Sequence, residues 1–177
     1  MKFKPHVILA LLPIFFVTKS YSQNLSGTWD GLYGIGQNYI NHEGMSYRFA
    51  KDSLYMHLEI LQEGRKIYGV FYYSNNANEY EPLAMCQISG LLDKKNPLNF
   101  FKLNREEVMQ DHTDPKMAIK LFWSLPATYC KSDSAEIIYG NWYPGRGKAG
   151  AYWVKKKNSF IGPLLQHLLN SRNKKTP

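Results

Sequence analysis

The chain of 177 residues has few of the features that identify an enzyme. Cysteine is scarce, and neither Cys86 nor Cys130 lies in a C-x-x-C pair or beside a histidine, so nothing indicates a catalytic thiol. The chain contains no G-x-S-x-G, no phosphate-binding loop and no H-E-x-x-H motif. Clusters with the ligand spacing of a zinc or calcium site are missing too. We therefore predict a protein that is not an enzyme, with no catalytic residue, no metal and no cofactor.

Long apolar segments are also missing. The apolar run from Val7 to Val17 is eleven residues long, whereas a membrane-spanning helix needs roughly 20. It follows two lysines and precedes Ser20-Tyr21-Ser22, whose small residues stand at the positions that a signal peptidase reads. Residues 1–22 are therefore predicted to be a signal peptide that is cleaved near Ser22/Gln23, and the protein to be exported, either periplasmic or secreted. An uncleaved membrane anchor is the alternative.

Acidic residues are absent from the C-terminal end of the chain, from Arg146 to Pro177, which carries eight lysines and arginines. The net charge is +8 for the whole chain, but this end holds most of it and the preceding region is near neutral. A nucleic-acid partner is not expected, because an exported protein rarely meets nucleic acid. Two interpretations of Lys155, Lys156 and Lys157 remain open: contact with an acidic surface, or a solvated run of charges that protects a strand edge. A monomer is expected.

An exported protein folds in an oxidising compartment, which favours disulfide formation. Cys86 and Cys130 each lie in or beside a predicted strand, and a bridge between them depends on whether the fold brings them close. A disulfide and two separate thiols therefore remain alternatives.

The residues that are abundant favour strands. Aromatic residues make up 15% of the chain, with 13 tyrosines, and there are 13 glycines, which is typical of short strands joined by tight turns. From Ser53 to Gln62 apolar and polar residues alternate, and Glu63-Gly64-Arg65 then predicts the turn of an antiparallel hairpin. Eight strands are predicted: Gln23–Tyr33, Ser53–Gln62, Lys66–Ser74, Tyr80–Leu92 with a bulge at Gly90, Leu98–Leu103, Lys116–Leu125, Ser134–Tyr143 and Ala149–Lys157. Between the fifth and sixth, Asn104–Pro115 is predicted to be a charged loop, with or without one helical turn.

The pattern changes near the C-terminus. Between residues 158 and 170 the apolar residues recur at spacings of three and four behind Ser159, which predicts a short amphipathic helix with Ser159 as its N-cap. Residues 171–177 are predicted to be a disordered basic tail. The domain organisation is then a signal peptide, a β-domain over 23–157, the helix and the tail.

Eight antiparallel strands with short turns predict an all-β fold, an up-and-down barrel whose interior can hold one small ligand. The opening Leu25-Ser26-Gly27-Thr28-Trp29 resembles the Gly-x-Trp signature at the first strand of lipocalins and of the wider calycin group, which includes the avidins. The resemblance implies that Trp29 is a structural plug at one end of the barrel and that the other end admits a ligand.

Tyrosine and tryptophan exceed what one small core needs, and their flat faces and polar groups suit apolar or amphipathic ligands. Alternation places the candidate ligand site at Met56, Tyr72, Trp123 and Tyr139. The predicted function is an exported binding protein with such a ligand in the barrel lumen.

Three other functions remain open. One is an envelope or surface interaction protein with a packed core and a basic C-terminal region. Another is a small outer-membrane barrel, which the signal and the strand count also permit. The weakest is a hydrolase, for which His57 and Glu59 share one strand face as an acid and base pair.

Overall fold

Eight antiparallel strands form a closed barrel in the computed structural model of the chain. The structure describes residues 24–41, 44–75, 82–92, 100–116, 121–143 and 150–173, and for 35–52 and 172–173 the backbone alone. The predicted signal peptide lies outside the described residues. The strands are β1 (Gly27–Asn41), β2 (Gly44–Glu63), β3 (Lys66–Ser74), β4 (Ala84–Leu92), β5 (Phe100–Asp111), β6 (Ser124–Lys131), β7 (Glu136–Trp142) and β8 (Gly150–Asn158), followed by one helix, α1 (Pro163–Asn173).

Each strand pairs with the next in the sequence, and β8 pairs with β1 to close the barrel. This confirms the predicted fold class. The barrel has two different ends. End A contains the β2–β3 turn, the β6–β7 turn, the start of β1 and the end of β8. End B is the opposite end, where the pairing of β1 with β2 extends as far as Asn41 and Gly44.

The β2–β3 hairpin follows the alternation in the sequence. Alternate residues of β2 from Leu54 to Ile60 are buried in the barrel, and Leu58 lies opposite Phe71 of β3. Gly64 in the connecting turn has a φ of 59°, a left-handed conformation that glycine adopts without steric cost. The predicted hairpin is confirmed.

Buried side chains from all eight strands fill the barrel interior. Each large apolar side chain that leaves water contributes roughly 1.5–3 kcal/mol of transfer free energy. The largest of the fully buried side chains are aromatic: Trp29, Trp142, Tyr33, Tyr73, Tyr152, Phe71, Phe101 and Phe122.

The prediction fails between β4 and β6. The predicted loop from Asn104 to Pro115 is strand as far as Asp111, because this part of β5 pairs with β4 and its charged side chains find partners there. Glu107 accepts a hydrogen bond from Gln87 Nε2 at 2.9 Å. The sixth strand begins at Ser124 instead of Lys116. Gly90 pairs regularly with Leu103, and the irregularity lies between Met85 and Ile88 instead.

The helix also differs from its prediction. It begins at Pro163, since proline lacks the N–H that a first helical residue would leave unbonded, and it runs on to Asn173. Ser159 is therefore not the N-cap; the carbonyl of Gly162 accepts the first helical hydrogen bond, from Gln166. Leu165 is buried where α1 packs on the outside of β2 and β3. Among the described residues no helix is long and apolar enough to cross a membrane.

Candidate functional site

End A is covered by the segment that precedes β1. Leu25 is fully buried, and its carbonyl accepts a hydrogen bond of 3.0 Å from Trp29 Nε1. Two further bonds of 2.9 Å tie this segment to β2: Leu25 N–H donates to Gln62 Oε1, and Gln62 N–H donates to Ser26 Oγ. The resemblance to calycins predicts Trp29 as a plug, and the structure places it buried beneath this cover.

Lys156 completes the cover of end A. Its ammonium lies 5.3 Å from the centre of the Trp29 ring, a cation–π contact. It also donates to the carbonyl of Asn24 at 2.9 Å and to Glu136 Oε2 at 3.1 Å. Burial opposes ionisation of Glu136, but its hydrogen bonds with Lys156, Lys131 and Tyr129 give it a pKa below the usual value. One lysine thus joins the leading segment, Trp29 and β7.

A layer of aromatic rings lies toward end B. Tyr33 stacks on Trp142 at 4.7 Å and on Tyr73 at 5.4 Å between ring centres, and Phe71 meets Phe122 edge to face at 4.8 Å. Trp142 Nε1 donates to the carbonyl of Gly34 at 2.9 Å. The Tyr73 hydroxyl is buried and interacts with the Thr113 side chain. Burial raises the pKa of Tyr73, so this hydroxyl stays neutral and keeps a proton to donate.

Trp123 and Arg105 lie at the edge of this layer, where β6 begins. The N–H of Arg105 donates to the carbonyl of Trp123 at 3.3 Å, so the β5–β6 register continues by one pair beyond Asn104 and Ser124. Arg105 shares the strand face of Leu103, which is buried. The Arg105 guanidinium lies 5.4 Å from the centre of the Trp123 ring. Phe122 is buried against Phe71, whereas the Trp123 side chain is 64% exposed at the rim.

The structure does not bring the four predicted ligand residues together. Met56 is buried in the interior, and Trp123 lies at the rim of end B. Tyr72 and Tyr139 are on the outer wall, because their neighbours Tyr73 and Ile138 are the inward-facing, fully buried residues of β3 and β7. The assignment of Tyr72 and Tyr139 to the lumen is therefore wrong. Sequence reasoning also missed Arg105, since its charged surroundings in the sequence are typical of a loop.

His57 and Glu59 share the outer wall, as their spacing predicts, but each has a different partner. His57 Nδ1 lies 2.7 Å from Asp30 Oδ1, and its ring stacks on Tyr72 at 4.6 Å. The hydrogen bond with His57 lowers the pKa of Asp30, and Asp30 Oδ2 also meets Lys157 Nζ at 2.9 Å. The proposed acid and base pair is not assembled.

Glu59 binds the start of α1. Its carboxylate is 4% exposed and accepts the N–H of Leu165 at 2.7 Å. Burial raises the pKa of Glu59, while the hydrogen bonds from Leu165 and Leu164 oppose the rise. This carboxylate therefore replaces the missing side-chain cap at Gly162 and holds the helix on the barrel.

The two cysteines are free in the structure. Cys86 is buried in β4 and Cys130 is exposed at the end of β6, so the disulfide that the sequence left open is not formed. Burial raises the pKa of Cys86 to about 12, although Arg105 opposes the rise. Cys86 therefore behaves as a small apolar side chain.

A shallow groove of about 320 Å³ lies on the outer rim of end A. Four lysines line it with the β6–β7 turn: Lys131, Lys155, Lys156 and Lys157. Lys131, Lys156 and Lys157 are engaged in ion pairs with Glu136 or Asp30, whereas Lys155 is exposed and has no ion-pair partner among the described residues.

Within the described residues, no group of three histidine, cysteine or carboxylate side chains could hold a metal ion. Comparison with known proteins yields no relative: no family model, no curated protein and no solved structure matches the chain. The functional argument therefore depends on the geometry of the barrel and its two ends.

Proposed function

We propose that the protein is an exported binding protein that takes a small apolar or amphipathic ligand at end B of its barrel. One observation carries the proposal: Trp123 lies at the rim of end B, next to the aromatic layer, and 64% of its side chain is exposed. An exposed indole forgoes the burial free energy of its large apolar surface. A ligand between Trp123 and the aromatic layer would recover that free energy.

The difference between the ends supports the same location. At end A, hydrogen bonds and Lys156 hold the leading segment against Trp29. Toward end B, the aromatic layer offers stacked rings and the buried hydroxyl of Tyr73. Apolar surface with a few polar groups is the usual lining of a small-molecule site.

We also propose that the barrel is of the calycin type. Its support is the closed eight-stranded meander, the Gly27-Thr28-Trp29 signature at the start of β1, and the contact of a lysine with that tryptophan. The basis for export is the pattern of residues 1–22.

A packed-core interaction protein is the second candidate, and the lysine-lined groove at end A favours it. Exposed Lys155 and its neighbours provide a positive surface for an acidic partner.

An outer-membrane barrel would need an apolar outer band. The charged pair of Asp30 and Lys157 on the outer wall argues against that function.

The test has two steps. Native mass spectrometry of the mature protein, purified without detergent from its own exported fraction, should detect a bound small molecule. Titration with the neutral dye Nile red should then show saturable binding that Trp123→Ala weakens by about tenfold or more, a loss of about 1.4 kcal/mol. The matched control is Phe160→Ala, which removes another exposed aromatic side chain and should leave dye binding unchanged. A clean mass with no dye binding would instead favour the packed-core interaction protein.

A further inference from the structure

Arg105 occupies an unusual position for a charged residue. It lies opposite Ile88 in the β4–β5 register, and Ile88 is 2% exposed in the barrel core. Leu103, two residues earlier on the same strand face, is fully buried. Arg105 itself is half-buried. The strand therefore directs a guanidinium toward the interior at end B.

The guanidinium has no carboxylate partner in the described part of the chain, where all the ion pairs involve other residues. Among the described residues, its side chain lies over the Trp123 ring, 5.4 Å from the ring centre. Its charge is felt inside the barrel, because it opposes the rise in pKa that burial causes at Tyr33 and Cys86. A positive charge thus lies beside the aromatic layer, and no carboxylate of the described residues neutralises it.

A half-buried cation without an anion has lost part of its hydration and has gained no ion pair in return. Arginine presents its N–H groups in a planar fork, which matches the two oxygens of a carboxylate. The guanidinium lies over the Trp123 ring, and no carboxylate of the described residues pairs with its N–H groups.

We propose that Arg105 binds the anionic head group of an amphipathic ligand whose apolar part lies against Trp123 and the aromatic layer. This inference rests on the proposed function and specifies its ligand class: an apolar chain or ring that carries one carboxylate or a similar oxyanion. The ligand supplies the charge that the described chain does not provide, and its apolar part covers the exposed indole.

Isothermal titration calorimetry on the mature protein tests this, with dodecanoate, dodecanol and acetate as probes below any micelle concentration. Dodecanoate should bind about tenfold or more tightly than dodecanol, and acetate should not compete with dodecanoate at equal concentration. Arg105→Gln should bind both twelve-carbon probes with equal affinity. Lys102→Gln removes an exposed charge on the outward face of the same strand and should keep the preference.

The outcomes separate the two proposals. If the wild type binds dodecanoate and dodecanol equally, or if Arg105→Gln keeps the preference, the role of Arg105 is refuted while the binding site stands. If neither probe binds, both proposals fail. If acetate competes with dodecanoate at equal concentration, Arg105 belongs to a simple anion site, and the proposal of an amphipathic ligand is refuted. Should Arg105→Gln not fold, Arg105→Lys replaces it, because it keeps the charge, loses the planar fork and should show a reduced preference.

Discussion

The two ends of the barrel use the same kinds of residue in different ways. At end A a tryptophan and a lysine are mutually satisfied: Trp29 is buried and bonded to Leu25, and Lys156 has two oxygen partners as well as the ring. At end B an arginine also lies over a tryptophan ring, yet Trp123 is exposed and Arg105 has no described anion partner. The same two kinds of residue thus form a satisfied structural contact at end A and an unsatisfied contact at end B, where we propose that a ligand binds.

The largest effect should come from the two tryptophans. Trp29→Ala removes a fully buried side chain and should lower the free energy of unfolding by about 3–5 kcal/mol. Trp123→Ala should cost about 1 kcal/mol or less, since it removes one exposed cation–π contact. Urea unfolding of both variants measures the difference. Equal losses would mean that the two ends are equally structural.

The lysines of end A provide a matched pair with a smaller effect. Lys156→Gln loses hydrogen bonds to the Asn24 carbonyl and to Glu136 and should reduce the free energy of unfolding by about 1–2 kcal/mol. Lys155→Gln changes an exposed neighbour without a described ion-pair partner and should stay within about 0.5 kcal/mol of the wild type. Urea unfolding of the pair, side by side, gives the contrast. A similar loss in both variants would argue that Lys156 does not hold the cover.

Acidification should weaken end A selectively, although this effect is the smallest. The folded pKa of Glu136 lies below its ordinary value of 4.5, so its stabilisation is present above that value and is lost as pH falls through the folded pKa. Urea unfolding at about pH 6 and about pH 3 measures how much free energy of unfolding is lost on acidification, and this loss should be smaller in Glu136→Gln than in the wild type. Some loss should remain, because the pKa of Asp30 is lowered too.

Trp123→Ala is the control for this pH experiment, because it changes end B alone. Its free energy of unfolding should fall on acidification by the same amount as that of the wild type. If Glu136→Gln loses as much stability on acidification as the wild type, the ion pair with Lys156 contributes nothing measurable to the cover of end A.

The closed barrel could be predicted from the sequence because its strongest signals are local. The alternation in β2 and the turn at Gly64 define a hairpin within about twenty residues of chain. The second half of β5 could not be predicted in this way. Its charged residues are typical of a loop, and they are held in a strand by partners on β4, including Ser89 for Glu106 and Gln87 for Glu107.

The candidate site was harder to predict than the fold, for a geometric reason. Alternation shows that Tyr72 and Tyr73 point in opposite directions, but both are aromatic and the sequence alone does not say which one points inward. The role of Trp123 in ligand binding stays a prediction, and the strand predicted around it begins at Ser124. Arg105 becomes visible only once the β5–β6 register places it beside Trp123.

The pairing of β1 with β8 has a consequence for how the protein folds. This pairing joins the first and last strands, so the barrel closes through contacts that are among the most distant along the chain, and such contacts slow folding. A chain that lacks β8 leaves β1 and β7 with unpaired backbone edges, which can recruit strands from another copy. Arrival of the last strand is therefore the step that converts an aggregation-prone sheet into a self-contained fold.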